Sequence, residues 1–127
     1  MAGERLQIGE VAARTELSIK TIRHYDEVGL VTPSARSAGG FRLYTGDDVA
    51  RLLTIRRMKP LGFTLEEMRS LLDALEVLDT PTASPARRDR AAGYLADCHT
   101  RAEQACAKLT TQLAYARELT ERLARYR

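Results

Sequence analysis

Histidine and cysteine are scarce in this chain, two of each in 127 residues. His24 and His99 are the only imidazoles, and the nucleophile candidates are two cysteines and scattered hydroxyls. No acid–base constellation can be assembled from them, so the sequence argues against an enzyme, and no cofactor is expected. Two cysteines without a signal peptide point to a reducing compartment, the cytoplasm. No window approaches the ~20 apolar residues of a membrane span, so no membrane contact is expected. A bulk excess of one charge is also missing. Residues 1–76 carry 11 Lys and Arg against 11 Asp and Glu, and residues 77–127 carry nine against six, for a net charge of +3. Any case for a polyanionic partner must therefore rest on where the cations sit.

The chain has the length of one small domain, or of a small domain with an extension. Residues 1–6 read as a short lead-in. Ile8, Val11, Ala12 and Leu17 recur at helical spacing, which predicts a first helix over residues 8–14. A tight turn at Thr15-Glu16-Leu17 leads to Ser18, whose hydroxyl is suited to cap a second helix. In that helix Ile19, Ile22 and Val28 are expected to face inward, and Lys20, Thr21, Arg23 and His24 outward. Gly29 stops it, since glycine enters the left-handed conformation cheaply. The Gly39-Gly40 pair predicts a hairpin, a small wing with residues 31–36 loosely paired to residues 41–44. Arg36 precedes its tip, and Arg42 and Tyr44 follow it.

Thr45 with Asp48, and Thr64 with Glu67, have the spacing of capping boxes for a third and a fourth helix. Val49, Leu52, Leu53 and Ile55 supply the buried face of the third, and Arg51, Arg56, Arg57 and Lys59 its charges. Pro60 should end it near Lys59. The fourth is expected from Leu65 to about Leu75, with Leu65, Met68, Leu71 and Leu72 inward. Ser84-Pro85 fits an N-cap followed by proline at the first helical position. From residue 86 to 126 there is no proline and Gly93 is the only glycine. Leu95, Cys98, Ala102, Leu109, Leu113, Ala116, Leu119 and Leu123 recur at steps that are mostly three and four. A helix of ~40 residues is ~60 Å long and outruns the small domain before it. A second copy of the same helix is the simplest partner for its apolar stripe. The expected organisation is a helix-turn-helix and wing over residues 1–76, a linker over 77–84 and a dimerisation helix over 85–127.

A helix with cations on its outer face, beside a hairpin with cations near its tip, is the arrangement of a nucleic-acid reader. The linked motifs IGEVA, S-x-K-T-I-R-H-Y-D-E-V-G-L-V-T-P, R-S-x-G-G-F-R-L-Y and LGFTLEE resemble the MerR family of bacterial transcription regulators over residues 8–72. The rest is similar only in plan. The resemblance implies a mainly α fold, in which a winged helix-turn-helix DNA-binding domain is followed by a long dimerisation helix in an antiparallel coiled coil. It implies a homodimer on double-stranded DNA, at a pseudo-palindrome in an overlong promoter spacer. There the family distorts the duplex for RNA polymerase, as activator or repressor. Ser18, Lys20, Thr21, Arg23 and His24 match the major-groove positions, with Tyr25 on phosphate. Arg36, Arg42 and Tyr44 match the wing contacts, and Arg56, Arg57 and Lys59 match the second wing. Pro60 departs from the pattern, because relatives usually carry a helix-compatible residue there.

The effector end follows no sensing pattern of the family. Ser84 or a neighbour stands where metal sensors have a cysteine, and the chain stops at Arg127 with no cysteine loop following. Iron–sulfur relatives need four clustered cysteines, and aldehyde sensors hold one in the DNA-binding half. Cys98 and Cys106 lie on the stripe. If an antiparallel pair crosses near Ala102, Cys98 faces Cys106 of the partner subunit. Two readings stay open for them: small apolar core residues, or a thiol switch or soft-metal site across the interface, answering a small-molecule or redox effector. The alternative function is a DNA-bending architectural or excisionase-like factor without promoter control.

Overall fold

The computed structural model describes residues 4–127, so the first three residues of the expected lead-in lie outside the described residues. The elements run β1 (Arg5–Leu6), α1 (Ile8–Thr15), α2 (Ile19–Glu27), β2 (Ala35–Arg36), β3 (Arg42–Thr45), α3 (Gly46–Met58), a single 3-10 turn at Lys59–Leu61, α4 (Leu65–Leu78) and α5 (Pro85–Ala124). The fold is mainly helical with a small three-stranded antiparallel sheet in the order β1-β3-β2 and a long C-terminal helix. The chain divides into two units, Met1–Leu72 and Asp73–Arg127.

Local chemistry sets most of the helix ends. The Gln7 N–H donates to the Glu10 carboxylate at 3.1 Å and starts α1. The Thr21 N–H donates to Ser18 Oγ at 3.0 Å, so Ser18 caps α2 as its sequence position predicts. Gly29 takes φ +70° beyond the end of α2. Both expected capping boxes form, at Thr45 with Asp48 and at Thr64 with Glu67. Pro60 cannot continue α3, which ends at Met58 in the 3-10 turn. In the turn between α1 and α2, Glu16 sits at φ 58°, a left-handed position that costs a side-chain-bearing residue roughly 1–2 kcal/mol.

The first unit is built around Val11, Ile22, Leu52 and Ile55, each 0% exposed. Several expectations are corrected here. Part of the lead-in is a strand, with Arg5 opposite Thr45 and Leu6 opposite Tyr44. The first wing strand is only Ala35–Arg36, because Pro33 carries no N–H for a longer ladder. Ile19 and Leu65 were expected inward but are 38% and 37% exposed. Each is the first residue of its helix. Leu53 and Leu71 are half-buried, whereas Ala74 is buried on α4. α4 also runs to Leu78, past the expected end near Leu75.

One buried carboxylate ties the wing to α3. Asp48 is 0% exposed. It accepts from the Ser34 N–H at 3.0 Å, the Ser34 hydroxyl at 2.6 Å, the Thr45 N–H at 2.9 Å and Arg51 Nη1 at 3.3 Å. Four donors compensate the loss of hydration, as a buried charge requires.

In the second unit α5 is capped by Ser84 Oγ, which accepts from the Arg87 N–H, and Pro85 opens the helix. The expected stripe divides along its length. Leu95 and Ala102 are half-buried and Cys98 is buried, but Leu109, Leu113, Leu119 and Leu123 are 40–57% exposed.

Candidate nucleic-acid interface

Helix α2 carries the outward cations. Lys20, Arg23 and His24 are exposed and Thr21 is half-buried. The Ser18 hydroxyl lies 2.8 Å from Thr21 Oγ1, so these two polar side chains are already oriented by each other. Tyr25 differs from its neighbours, since its ring is only 3% exposed. Burial raises its pKa. The ring is core, and the residue reaches outward only at the edge of a groove described below.

The wing tip is locked by its own hydrogen bonds. The Ser37 N–H donates to the Phe41 carbonyl at 2.8 Å, the Gly40 N–H to the Ser37 carbonyl at 3.0 Å, and the Phe41 N–H to Ser37 Oγ at 3.0 Å. Gly40 adopts φ +85°, which the turn demands and glycine supplies at no steric cost. Arg36 Nη1 donates to the Gly40 carbonyl, and Arg5 Nη1 donates to the Arg36 carbonyl, each at 3.1 Å. This turn presents Phe41 at 75% exposure between Arg36 and Arg42. Sequence reasoning passed over Phe41; an aromatic at the tip of a glycine turn was the signal.

Arg42 joins the wing to α2 through an ion pair with Asp26 at 3.1 Å, its side chain still half-exposed. Tyr44, on the same strand, is 3% exposed. Burial is the main reason its pKa is raised; Asp26 and Asp48 push the same way, and Arg42 and Arg23 oppose them. Tyr44 thus takes a core position beside these charges, as Tyr25 does. Strand alternation gives no signal of this, since Tyr44 lies two residues from Arg42 and shares its face of the strand; its neighbour across the sheet is the buried Leu6.

The second wing is divided. Arg57 and Lys59 are exposed. Arg56 is half-buried, and its Nη1 donates to the Thr15 carbonyl at 2.7 Å. That carbonyl ends α1, where the helix dipole favours a cation. Arg56 thus holds the helix-turn-helix together. Arg69 of α4 does the same for α2 and was not anticipated. Its Nη1 donates to the Gly29 carbonyl at 2.7 Å and its Nη2 to the Val28 carbonyl at 2.8 Å. No local pattern reveals either contact, since each spans about 40 residues.

Between α2 and the start of α4 lies an open groove of about 420 Å³. Lys20, Thr21 and His24 line it from α2, with Tyr25; Lys59 lines it from the 3-10 turn, and Phe63, Leu65 and Met68 complete it. Cys98 and Cys106 lie elsewhere, on α5, the first buried and the second exposed, both as free thiols. Eight residues of helix separate them by ~12 Å along the axis, so they cannot bond to each other within one chain.

A family model described as MerR HTH family regulatory protein matches residues 6–75, and one described as MerR, DNA binding matches residues 49–127. The HTH-type transcriptional regulator ZntR of Escherichia coli (strain K12) is 46% identical over 66 residues, which are 52% of this chain and 47% of that protein. The HTH-type transcriptional regulator HmrR of Rhizobium leguminosarum bv. viciae is 41% identical over 78 residues, 61% of this chain and 60% of that protein. These matches thus span from under half to 60% of the relatives' length. Among solved structures, the transcription regulator PbrR691 of Ralstonia metallidurans CH34, crystallised with lead(II), is 33% identical with a TM-score of 0.54, over 91% of this chain and 83% of that one. With both family models covering more than half of its length, and the helix-turn-helix, wing and long helix in place, this chain belongs to the MerR family of DNA-binding transcriptional regulators.

Proposed function

We propose that the chain acts in the cytoplasm as a homodimer on a pseudo-palindromic operator within a promoter spacer, and that it controls RNA polymerase by distorting that DNA. The observation that carries this is the cationic outer face of α2, with Lys20, Arg23 and His24 exposed beside a wing held to the helix by the Arg42–Asp26 ion pair. Ser18, Thr21 and Tyr25 complete the proposed helix contacts, Arg36 and Arg42 those of the wing, and Arg57 and Lys59 those of the second wing. Phosphate contacts fix register, and base-edge contacts from α2 supply sequence preference. Residues 1–76 form the reading half, residues 77–84 connect it to the long helix, and residues 85–127 pair the two copies.

A thiol-linked effector rests on one observation. Cys106 is exposed on the face of α5 that the dimer would cover, and Cys98 is buried about one turn before Ala102. Antiparallel pairing centred at Ala102 brings Cys98 opposite Cys106 of the partner subunit.

The test is footprinting and bend analysis on the DNA upstream of the chain's own gene at physiological salt. Protection centred in an overlong spacer, with a bend, is the expected result. Tight bending at sites remote from any promoter would replace promoter control with an architectural role.

A further inference from the structure

The groove between α2 and α4 is unusual in its charge. None of the residues lining it is acidic, and Lys20, His24 and Lys59 bring the capacity for three positive charges. Yet residues 1–76 hold as many carboxylates as cations. The neighbouring depression along α2 does include a carboxylate, Glu27. Beneath the cations the surface is apolar. Phe63 and Met68 form a buried floor, and Leu65 is left 37% exposed over it. Two hydroxyl-bearing residues, Thr21 and Tyr25, also line the groove.

A DNA backbone alone does not use this floor. Its phosphates are hydrated and polar, and they satisfy lysines without apolar contact. A volume of about 420 Å³ falls inside the ~300–1,000 Å³ range of small-molecule sites, and an apolar wall with a few converging polar groups is their usual composition. We propose that this groove binds a small planar aryl carboxylate, with its ring on Phe63, Leu65 and Met68 and its carboxylate toward Lys20 and Lys59, and that such a ligand and DNA exclude each other. The exclusion rests on the reading of α2 as the DNA-contacting helix, because Lys20, Thr21 and His24 belong to both surfaces. Regulation of this kind is direct competition. It requires no signal to pass between the two units of the chain.

The probe is naphthalene-2-carboxylate, added to the full-length chain without DNA and followed by backbone amide NMR. Saturable shifts are expected at Lys20, Thr21, His24, Leu65 and Met68. Leu65→Asp, at the start of α4 where acidic residues are tolerated, should weaken binding at least tenfold. Naphthalene-2-carboxamide, which keeps the ring and lacks the charge, should also bind at least tenfold more weakly. Glu118→Gln, on α5 opposite the leucine row, should leave these shifts unchanged. Absent shifts, shifts confined to α5, or full binding by Leu65→Asp would overturn the site. In a second arm the carboxylate is titrated into the protein–operator complex. The apparent Kd for DNA should rise in proportion to ligand concentration, and an unchanged Kd at saturating ligand would overturn the exclusion. Failure of any DNA to bind would count against the proposed function, whereas the NMR arm reads the groove by itself.

Discussion

Arg23 and Arg42 both oppose the rise in the Tyr44 pKa, but they are held differently. Arg42 is paired to Asp26, whereas Arg23 projects from the exposed face of α2. A paired, half-exposed guanidinium suits a phosphate, and an exposed one on the reading helix can reach a base edge. Arg23→Ala should therefore weaken operator binding by about 1–3 kcal/mol and relax preference at one base position, whereas Arg42→Ala should weaken all sequences alike and lower the salt slope by about one. Fluorescence anisotropy on operator and scrambled DNA, over a salt series, separates the two. Equal losses on both DNAs for Arg23→Ala would mean that it reads no base. The two buried tyrosines make a second prediction at this scale. Unfolded, each ionises near 10.0; folded, burial holds both higher. Above pH 10 the native state keeps protons that the unfolded chain has released, so stability is level below that pH and falls as pH rises through the raised values. Urea midpoints measured from pH 8 to 11, with phenolate absorbance as the readout, should show this fall. Tyr25→Phe should reduce it, and a flat profile in the native sequence would refute it.

Helix α2 is nine residues long, too short to be stable by itself, and what fixes it comes from other elements. Ser18 caps its start, and Arg69 of α4 takes the carbonyls at its end. Arg69→Met keeps the stem of the side chain and removes the donors. It should cost about 1–2 kcal/mol of stability and lower operator affinity more than affinity for scrambled DNA. An unchanged ratio between the two DNAs would show that Arg69 supports the fold without setting the helix. The same contact shows what sequence can convey. Capping boxes, the Ser18 cap, Gly29, Gly40 and Pro60 act within four residues, and each was legible as a spacing or a residue type. Strand β1, Arg56 and Arg69 act across about 40 residues, and no periodicity encodes them. The outer face of α2 could be read because a helix exposes what its apolar spacing leaves over. That Arg56 turns inward while Arg57 stays outside could not, since both sit in the last turn of α3 and only the position of Thr15 decides between them.

At the scale of the molecule, the apolar face of α5 is the feature that one chain does not satisfy. Leu109, Leu113, Leu119 and Leu123 are 40–57% exposed, spread over about four turns of a 40-residue helix, and Tyr126 just past its end is 78% exposed. Single exposed leucines are ordinary, but a row at helical spacing is the seam of a coiled coil. Pairing with a second copy would remove that row from water and would set two reading helices on one duplex, which is what a pseudo-palindrome requires. Leu109→Glu tests this directly. In a dimer it buries one carboxylate per chain in an apolar seam with no partner, at a cost of several kcal/mol per ion. In a monomer it adds a solvated charge to an exposed face and changes little. Sedimentation equilibrium should show the native chain as a dimer and the variant as a monomer. The unit Met1–Leu72 carries its own core around Ile22, Leu52 and Ile55, so its thermal transition should survive the substitution. Operator affinity should then fall to that of a single half-site, while affinity for one isolated half-site stays as it was. A variant that remains dimeric would place the pairing surface away from Leu109. A native chain that is already monomeric at micromolar concentration would leave the two-fold operator without its protein counterpart.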